Sequence, residues 1–243
     1  MLFYEEPYSV SWQLFQGQQL SLAPGCVHLW RSHLSTGNNI SNFEAILSAE
    51  ELTRVKRFIK TSDQIKFALS RAITRKVLAY YLDCMPEKII FSIGEHGKPF
   101  VANADLQFNV SHSGDYVLIA ATRSNPIGVD IECDKNNSDF LALSKRFFAL
   151  SEHEAILKCD DQRSAFYRCW TCKEAFIKAT GLGLSFGLNN FEIDVNRGSL
   201  LAVSRDGFFV NDFTLRSLVL DVLGYYGALV AKGDISEVVY WDF

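Results

Sequence analysis

The chain has 243 residues, 48% of them apolar and 21% charged, with a formal net charge of −4 at neutral pH. This composition excludes intrinsic disorder, a collagen-like repeat and a coiled coil, and a chain of this length buries about 70–75% of its unfolded surface. No apolar run approaches the ~18–20 residues that cross a bilayer, and the start, with Glu5 and Glu6, is unlike a signal peptide, so a cytoplasmic protein with no membrane role is expected.

In chain order, the first predicted helix opens at Leu47-Ser48-Ala49-Glu50-Glu51, where Ser48 and Glu51 form a capping box. A longer helix follows Asp63-Gln64, with Ile65, Leu69, Ile73, Val77 and Tyr80 along one face. Strands are predicted at 89–93, 108–111 and 116–122, and Gly97-Lys98-Pro99 is a turn whose proline fixes where Lys98 points. Leu150-Ser151-Glu152-His153-Glu154 then repeats the opening motif, with Ser151 and Glu154 as its box. Asp161-Gln162 precedes a second long helix with Phe166, Cys169, Trp170, Phe176 and Ile177 on one face. Strands at 191–195, 215–222 and 225–231 follow, with Gly224 at a turn. The recurrence predicts an α+β fold made by pseudo-twofold duplication of two α/β subdomains, 1–125 and 126–243, with a ligand cleft between them. A duplicated chain of this kind is expected to act as a monomer.

Between Arg54 and Lys76 there are eight basic residues and one acid, so this stretch carries +7 while the remainder carries −11. A basic island on an acidic chain points to a local anionic partner, whereas nucleic-acid binding favours a basic domain. Cys169 and Cys172 form the CxxC of the chain, but no second pair or nearby histidines stand at zinc-ligand spacing, and the pair lies inside a helical pattern. Core packing is expected for both.

Three segments carry the chemistry. Ile127-Gly128-Val129-Asp130-Ile131-Glu132 is a short strand in which Val129 and Ile131 take one face and Asp130 and Glu132 the other. Two carboxylates about 7 Å apart at Cα repel unless a cation lies between them. They suit Mg²⁺ or, equally, an exposed strand end with two solvated acids. Glu174 and Lys178 share a helix face at i and i+4, either as an ordinary surface pair or, beside Trp170 and before the helix-stopping Gly181 and Gly183, as a third carboxylate and a phosphate-balancing cation at a cleft wall. Phe108-Asn109-Val110-Ser111-His112-Ser113-Gly114 runs from a strand into a polar turn. Ser111 and His112 are suited to bind a phosphate, and as strand neighbours they point apart, which argues against a nucleophile–base pair.

Together, Gly97-Lys98-Pro99, Phe108-Asn109-Val110-Ser111-His112-Ser113, Gly128-Val129-Asp130-Ile131-Glu132 and Trp170-Thr171-Cys172-Lys173-Glu174-Ala175-Phe176-Ile177-Lys178 resemble, in order, the motifs of the two-half 4′-phosphopantetheinyl transferases, the type that activates surfactin synthetase. The resemblance spans about residues 48 to 190. It implies a pseudo-twofold fold and transfer of the phosphopantetheine arm of coenzyme A to a serine of an apo acyl or peptidyl carrier protein, releasing 3′,5′-ADP. It further implies Asp130, Glu132 and Glu174 as Mg²⁺ ligands, Glu174 as the proton acceptor and Lys178 on the pyrophosphate. Lys98, Ser111 and His112 are implied at the adenosine and its 3′-phosphate, with Arg54 and Lys66 as basic contacts from the first half, and Glu51 stands where a relative can carry a base. Against this stand a Mg²⁺-dependent phosphodiesterase, which also clusters acids around lysine, and a non-catalytic binder of coenzyme A or carrier protein, which needs no complete acid set.

Overall fold

The computed structural model describes residues 11–35, 39–123, 125–134, 139–203 and 209–243, and the side chain of residue 184 is not among what it describes; Glu5 and Glu6 of the acidic start lie outside these residues. Twelve strands and five α-helices are found among the described residues: β1 (Gln13–Leu14), β2 (Cys26–His33), α1 (Ala49–Val55), α2 (Thr61–Leu82), β3 (Phe91–Ile93), β4 (Pro99–Val101), β5 (Gln107–Ser113), β6 (Tyr116–Thr122), β7 (Ile127–Cys133), α3 (Phe140–Phe147), α4 (Leu150–Leu157), α5 (Gln162–Thr180), β8 (Phe191–Asp194), β9 (Ser199–Val203), β10 (Phe213–Leu218), β11 (Tyr225–Lys232) and β12 (Glu237–Asp242). None of the helices is long and apolar enough to cross a membrane.

Two sheets form the centre, one in the order β1-β12-β2-β6-β5 and one in the order β10-β11-β7. The two-residue period of the strands divides the core. On β6, Val117, Ile119 and Ala121 pack under α2 with Trp30 of β2, while Leu118 and Ala120 turn to the other side. There they meet Ile127, Val129 and Ile131 of β7 and Leu229 of β11, so the sheets pack face to face. The outer face of the second sheet is covered by α5 through Ala175, Phe176 and Ala179. The layers therefore run α2, first sheet, second sheet, α5, as duplication of an α/β unit predicts. The chain passes from one sheet to the other between β6 and β7, close to residue 125, and its last strand, β12, returns to pair in parallel with β2.

Each long helix is tied to its preceding short helix by a buried ion pair. Glu51 accepts from Ser48 N as Ser48 Oγ accepts from Glu51 N, completing the first capping box, and its carboxylate then takes Arg75 at 2.8 Å and Arg71 at 2.7 Å. In the second half the capping glutamate is Glu152, not Glu154: Glu152 Oε2 accepts the Ala149 N–H, and Ser151 Oγ instead donates to Glu192. The displacement has a physical cause. Glu152 is needed in the core opposite Lys173, 2.7 Å away, and only a register moved by two residues brings it there. Arg75 donates to the Pro86 and Ile89 carbonyls and Lys173 to those of Leu188 and Phe191, so each buried cation also holds the segment leading into the next hairpin.

On α2, Leu69, Ile73 and Val77 are buried as predicted, but Tyr80 is exposed and Tyr81 is inside, because the helix lies flat on the sheet and buries a wider stripe. The CxxC thiols are buried, and burial pushes both thiol pKa values up, Cys172 to about 12.

Candidate active site

The site lies where the edge strand of one sheet, β5, faces the edge strand of the other, β7, beneath the C-terminal turns of α5. The approach of β7 to α5 depends on Gly128. A Cβ there would collide with the Ala175 carbonyl and the Ala179 amide, so glycine lets the helix rest on the strand backbone. Glu174 and Lys178 thereby hang over the face of β7 that carries Asp130 and Glu132, and Gly181, at φ 71°, closes the helix one turn later.

A pocket of about 400 Å³ is lined by Val110, Ser111, His112, Asp130, Glu132, Trp170, Glu174 and Lys178. Asp130 is 3% exposed. Its Oδ1 accepts from Lys178 Nζ at 2.6 Å and from Ser111 Oγ at 2.8 Å, and Lys178 Nζ also donates to Ser111 Oγ at 2.9 Å. Glu132 Oε2 accepts from Ser113 Oγ at 2.8 Å. Burial raises the Asp130 carboxyl pKa despite Lys178 and Ser111; for Glu174, burial comes first, Asp130 and Glu132 add to it, and Lys178 opposes it. Three carboxylates around one ammonium leave the pocket short of positive charge.

The donor set fits a hard divalent cation. Asp130 Oδ2 is buried with no hydrogen-bond partner, an acceptor left unsatisfied in a place where burial is costly. Among the described residues no three such groups already stand at metal-ligating spacing, since Lys178 engages Asp130 and the acids surround the pocket without meeting at a point. The expected convergence is thus to a common pocket.

The remaining predicted contacts separate. Ser111 is buried and His112 exposed, so the two do point apart. Desolvation, then the charges of Lys178 and Arg54, hold the His112 pKa below the usual histidine value. Arg54 is exposed, stacks over Phe67 at 5.1 Å and lines a second hollow with Ala49, Glu50, Thr53 and Arg57. Lys98 and Lys66 are not among the lining residues of either hollow. Lys98 Nζ donates to the Ile127 and Lys178 carbonyls at 2.7 and 2.8 Å, pinning the end of α5 to the start of β7, and burial lowers its pKa to about 8. Lys66 Nζ holds Asp115 at 2.7 Å and the Gly114 carbonyl at 3.0 Å, while the Asp115 amide donates to Tyr225 Oη, so the turn after His112 is gripped from both halves. Arg71 and Arg75 are likewise spent on Glu51. Of the basic island, Arg54, Lys56, Arg57, Lys60 and Lys76 stay exposed. Sequence reasoning missed that Asn109, Ser111 and Ser113 hydrogen-bond to Val129, Asp130 and Glu132 of β7, for which the signal was three small polar residues at a two-residue period on a strand.

The profile of the 4′-phosphopantetheinyl transferase superfamily matches residues 126–224, and that of the N-terminal region of 4′-phosphopantetheinyl transferases matches residues 30–124. The chain is 37% identical over 173 residues to the 4′-phosphopantetheinyl transferase HetI of Nostoc sp., covering 68% of this chain and 73% of that protein. This chain belongs to the 4′-phosphopantetheinyl transferase family. It is also 35% identical over 164 residues to the transferase Sfp of Bacillus subtilis (66% of this chain, 72% of that protein) and 31% identical over 234 residues to a phosphopantetheinyl transferase of Thraustochytrium sp. (87% and 80%). The boundary between the two profiles falls in the same connection from β6 to β7 that carries the chain from one transferase sheet to the other.

Proposed function

We propose that this transferase moves the 4′-phosphopantetheine arm of coenzyme A onto a serine of an apo acyl or peptidyl carrier protein in the cytoplasm, acting as a monomer, with Asp130, Glu132 and Glu174 holding Mg²⁺ and Glu174 taking the proton. The observation that carries this reading is the single pocket between β5, β7 and α5 that gathers three carboxylates, Lys178, Ser111 and His112. Mg²⁺ bound there would neutralise charge on the diphosphate.

The chain's own groups account for the rest. The serine oxygen bonds to the phosphorus bearing the pantetheine arm, the bond from that phosphorus to the oxygen of 3′,5′-ADP breaks, and the serine proton passes to a carboxylate. Glu174 suits this last role because burial and two neighbouring acids make it more basic than an ordinary glutamate. Asp130 is unsuited, since it is buried, Ser111 donates to one of its oxygens and the other is the one left for the cation. Lys178, hydrogen-bonded to Asp130 at the pocket wall, balances the leaving phosphate. His112 at the pocket wall donates a hydrogen bond to phosphate, and exposed Arg54 supplies charge nearby. Lys98 and Lys66 support the pocket's frame from behind.

The test is to incubate the protein with coenzyme A, Mg²⁺ and a panel of apo carriers and weigh each carrier. Addition of one phosphopantetheine to at least one carrier is expected; masses unchanged across the panel would overturn the proposal.

A further inference from the structure

Asn109, Ser111 and Ser113 occupy alternate positions of β5 and all three are buried. β5 and β7 are edge strands of different sheets with no backbone pairing between them among the described residues. Side chains make the connection instead. Asn109 Oδ1 accepts the Val129 N–H at 2.8 Å, Ser111 Oγ donates to Asp130 Oδ1 at 2.8 Å, and Ser113 Oγ donates to Glu132 Oε2 at 2.8 Å while accepting the Cys133 N–H at 3.0 Å. The spacing of two on β5 thus locks the register of a neighbour it does not pair with, joining the two halves of the duplication.

Ser113 stands out within this ladder because its geometry leaves its hydroxyl no choice. An amide can only donate, so the Cys133 N–H takes a lone pair of Oγ, and the single hydroxyl proton is left for Glu132 Oε2. A serine of the first half therefore helps to orient a carboxylate of the second half, without itself lining the pocket. Outer partners of this kind orient ligating carboxylates, and losing one typically costs about 10–100-fold in metal affinity.

We propose that Ser113 is a positioning residue that sets Glu132 for the divalent cation, an inference that rests on the metal reading above. The test titrates Mn²⁺ into the full chain with coenzyme A and no carrier, following free Mn²⁺ by electron paramagnetic resonance, for wild type, Ser113→Ala, Ser113→Thr and Asp130→Ala. Ser113→Ala is expected to bind Mn²⁺ about tenfold more weakly with metal-free coenzyme A affinity unchanged. Ser113→Thr, which keeps the hydroxyl, is expected to restore binding, and Asp130→Ala to lose it. Wild-type Mn²⁺ affinity in Ser113→Ala alongside loss in Asp130→Ala would overturn the role of Ser113 and leave the metal reading standing. Wild-type affinity in both would overturn the metal reading and this inference with it. Should Ser113→Ala not fold, Ser113→Cys, with its far weaker donor, enters the same titration with the same expected loss, and unaltered affinity there would overturn the proposal.

Discussion

Replacing Gly128 by alanine tests how the site is assembled, because a single methyl group would separate the two elements that carry it. The added Cβ would overlap the Ala175 carbonyl oxygen and the Ala179 nitrogen, both backbone atoms of α5 that cannot rotate away. It would lie 2.0 Å from the oxygen and 2.4 Å from the nitrogen, so reaching an ordinary van der Waals distance of about 3.5 Å requires helix and strand to part by about 1–1.5 Å. Overpacking of this kind costs about 1–3 kcal/mol, and the stiffer unfolded chain of alanine returns at most ~1 kcal/mol. The upper part of that range is expected, since the obstacle is main chain. For a chain of this length the melting temperature should fall by about 3–8 °C. The larger effect should be on turnover: Glu174 and Lys178 move with α5 while Asp130 and Glu132 stay on β7, and a misplacement of about 1 Å costs roughly 100-fold in rate. Differential scanning fluorimetry reads the first quantity and carrier mass against time the second, with coenzyme A saturating. A variant that melts and turns over like wild type would refute the inference that this contact sets the pocket's geometry.

Other substitutions probe single groups. Glu174→Gln should keep coenzyme A binding, measured by calorimetry, and lose about 10²–10⁴-fold in turnover; wild-type turnover would remove Glu174 as the proton acceptor. Lys173→Met leaves Glu152 charged in the core and should cost about 3–5 kcal/mol in a denaturant titration, part of it recovered by adding Glu152→Gln; a small loss would show that the ion pair is not needed to hold α4 on α5. His28 is buried with Nδ1 2.8 Å from Tyr81 Oη, and burial lowers its pKa to about 4. The unfolded chain binds this proton from about pH 6.5 downward and the folded chain does not until about pH 4. Stability is therefore complete above pH 6.5 and falls by about 3 kcal/mol toward pH 4, a slope that should be absent in His28→Gln; equal slopes would exclude His28 as its source.

Local signals made much of the fold readable. The strand predicted at 116–122, a continuous apolar run, packs on both of its faces, and the split of Val129 and Ile131 from Asp130 and Glu132 holds in three dimensions. Repetition gave the duplication, yet the second capping box was misplaced, because Ser151 and Glu154 have the right spacing while the core selects Glu152. β2 and β12 were not predicted, since their pairing joins segments more than 200 residues apart and leaves no local periodicity to detect. The acids and Lys178 could be placed on one helix and one strand, but that those elements touch depends on Gly128, whose lack of a side chain is visible in sequence and its reason is not. The basic island misled most. Charge counting treats every cation as solvated, whereas Arg71 and Arg75 are taken up by Glu51 inside the protein and Lys66 is paired with Asp115 at its surface.

The most direct measurement is a crystal structure with coenzyme A and Mn²⁺, using anomalous scattering to locate the ion. A single peak is expected against Asp130 Oδ2, with Glu132, Glu174 and the diphosphate oxygens completing a shell at about 2.0–2.2 Å, and Lys178 turned from Asp130 toward phosphate. A peak remote from Asp130, or a diphosphate seated in the pocket with the Lys178–Asp130 pair intact and no ion beside it, would contradict the assignment of these three carboxylates.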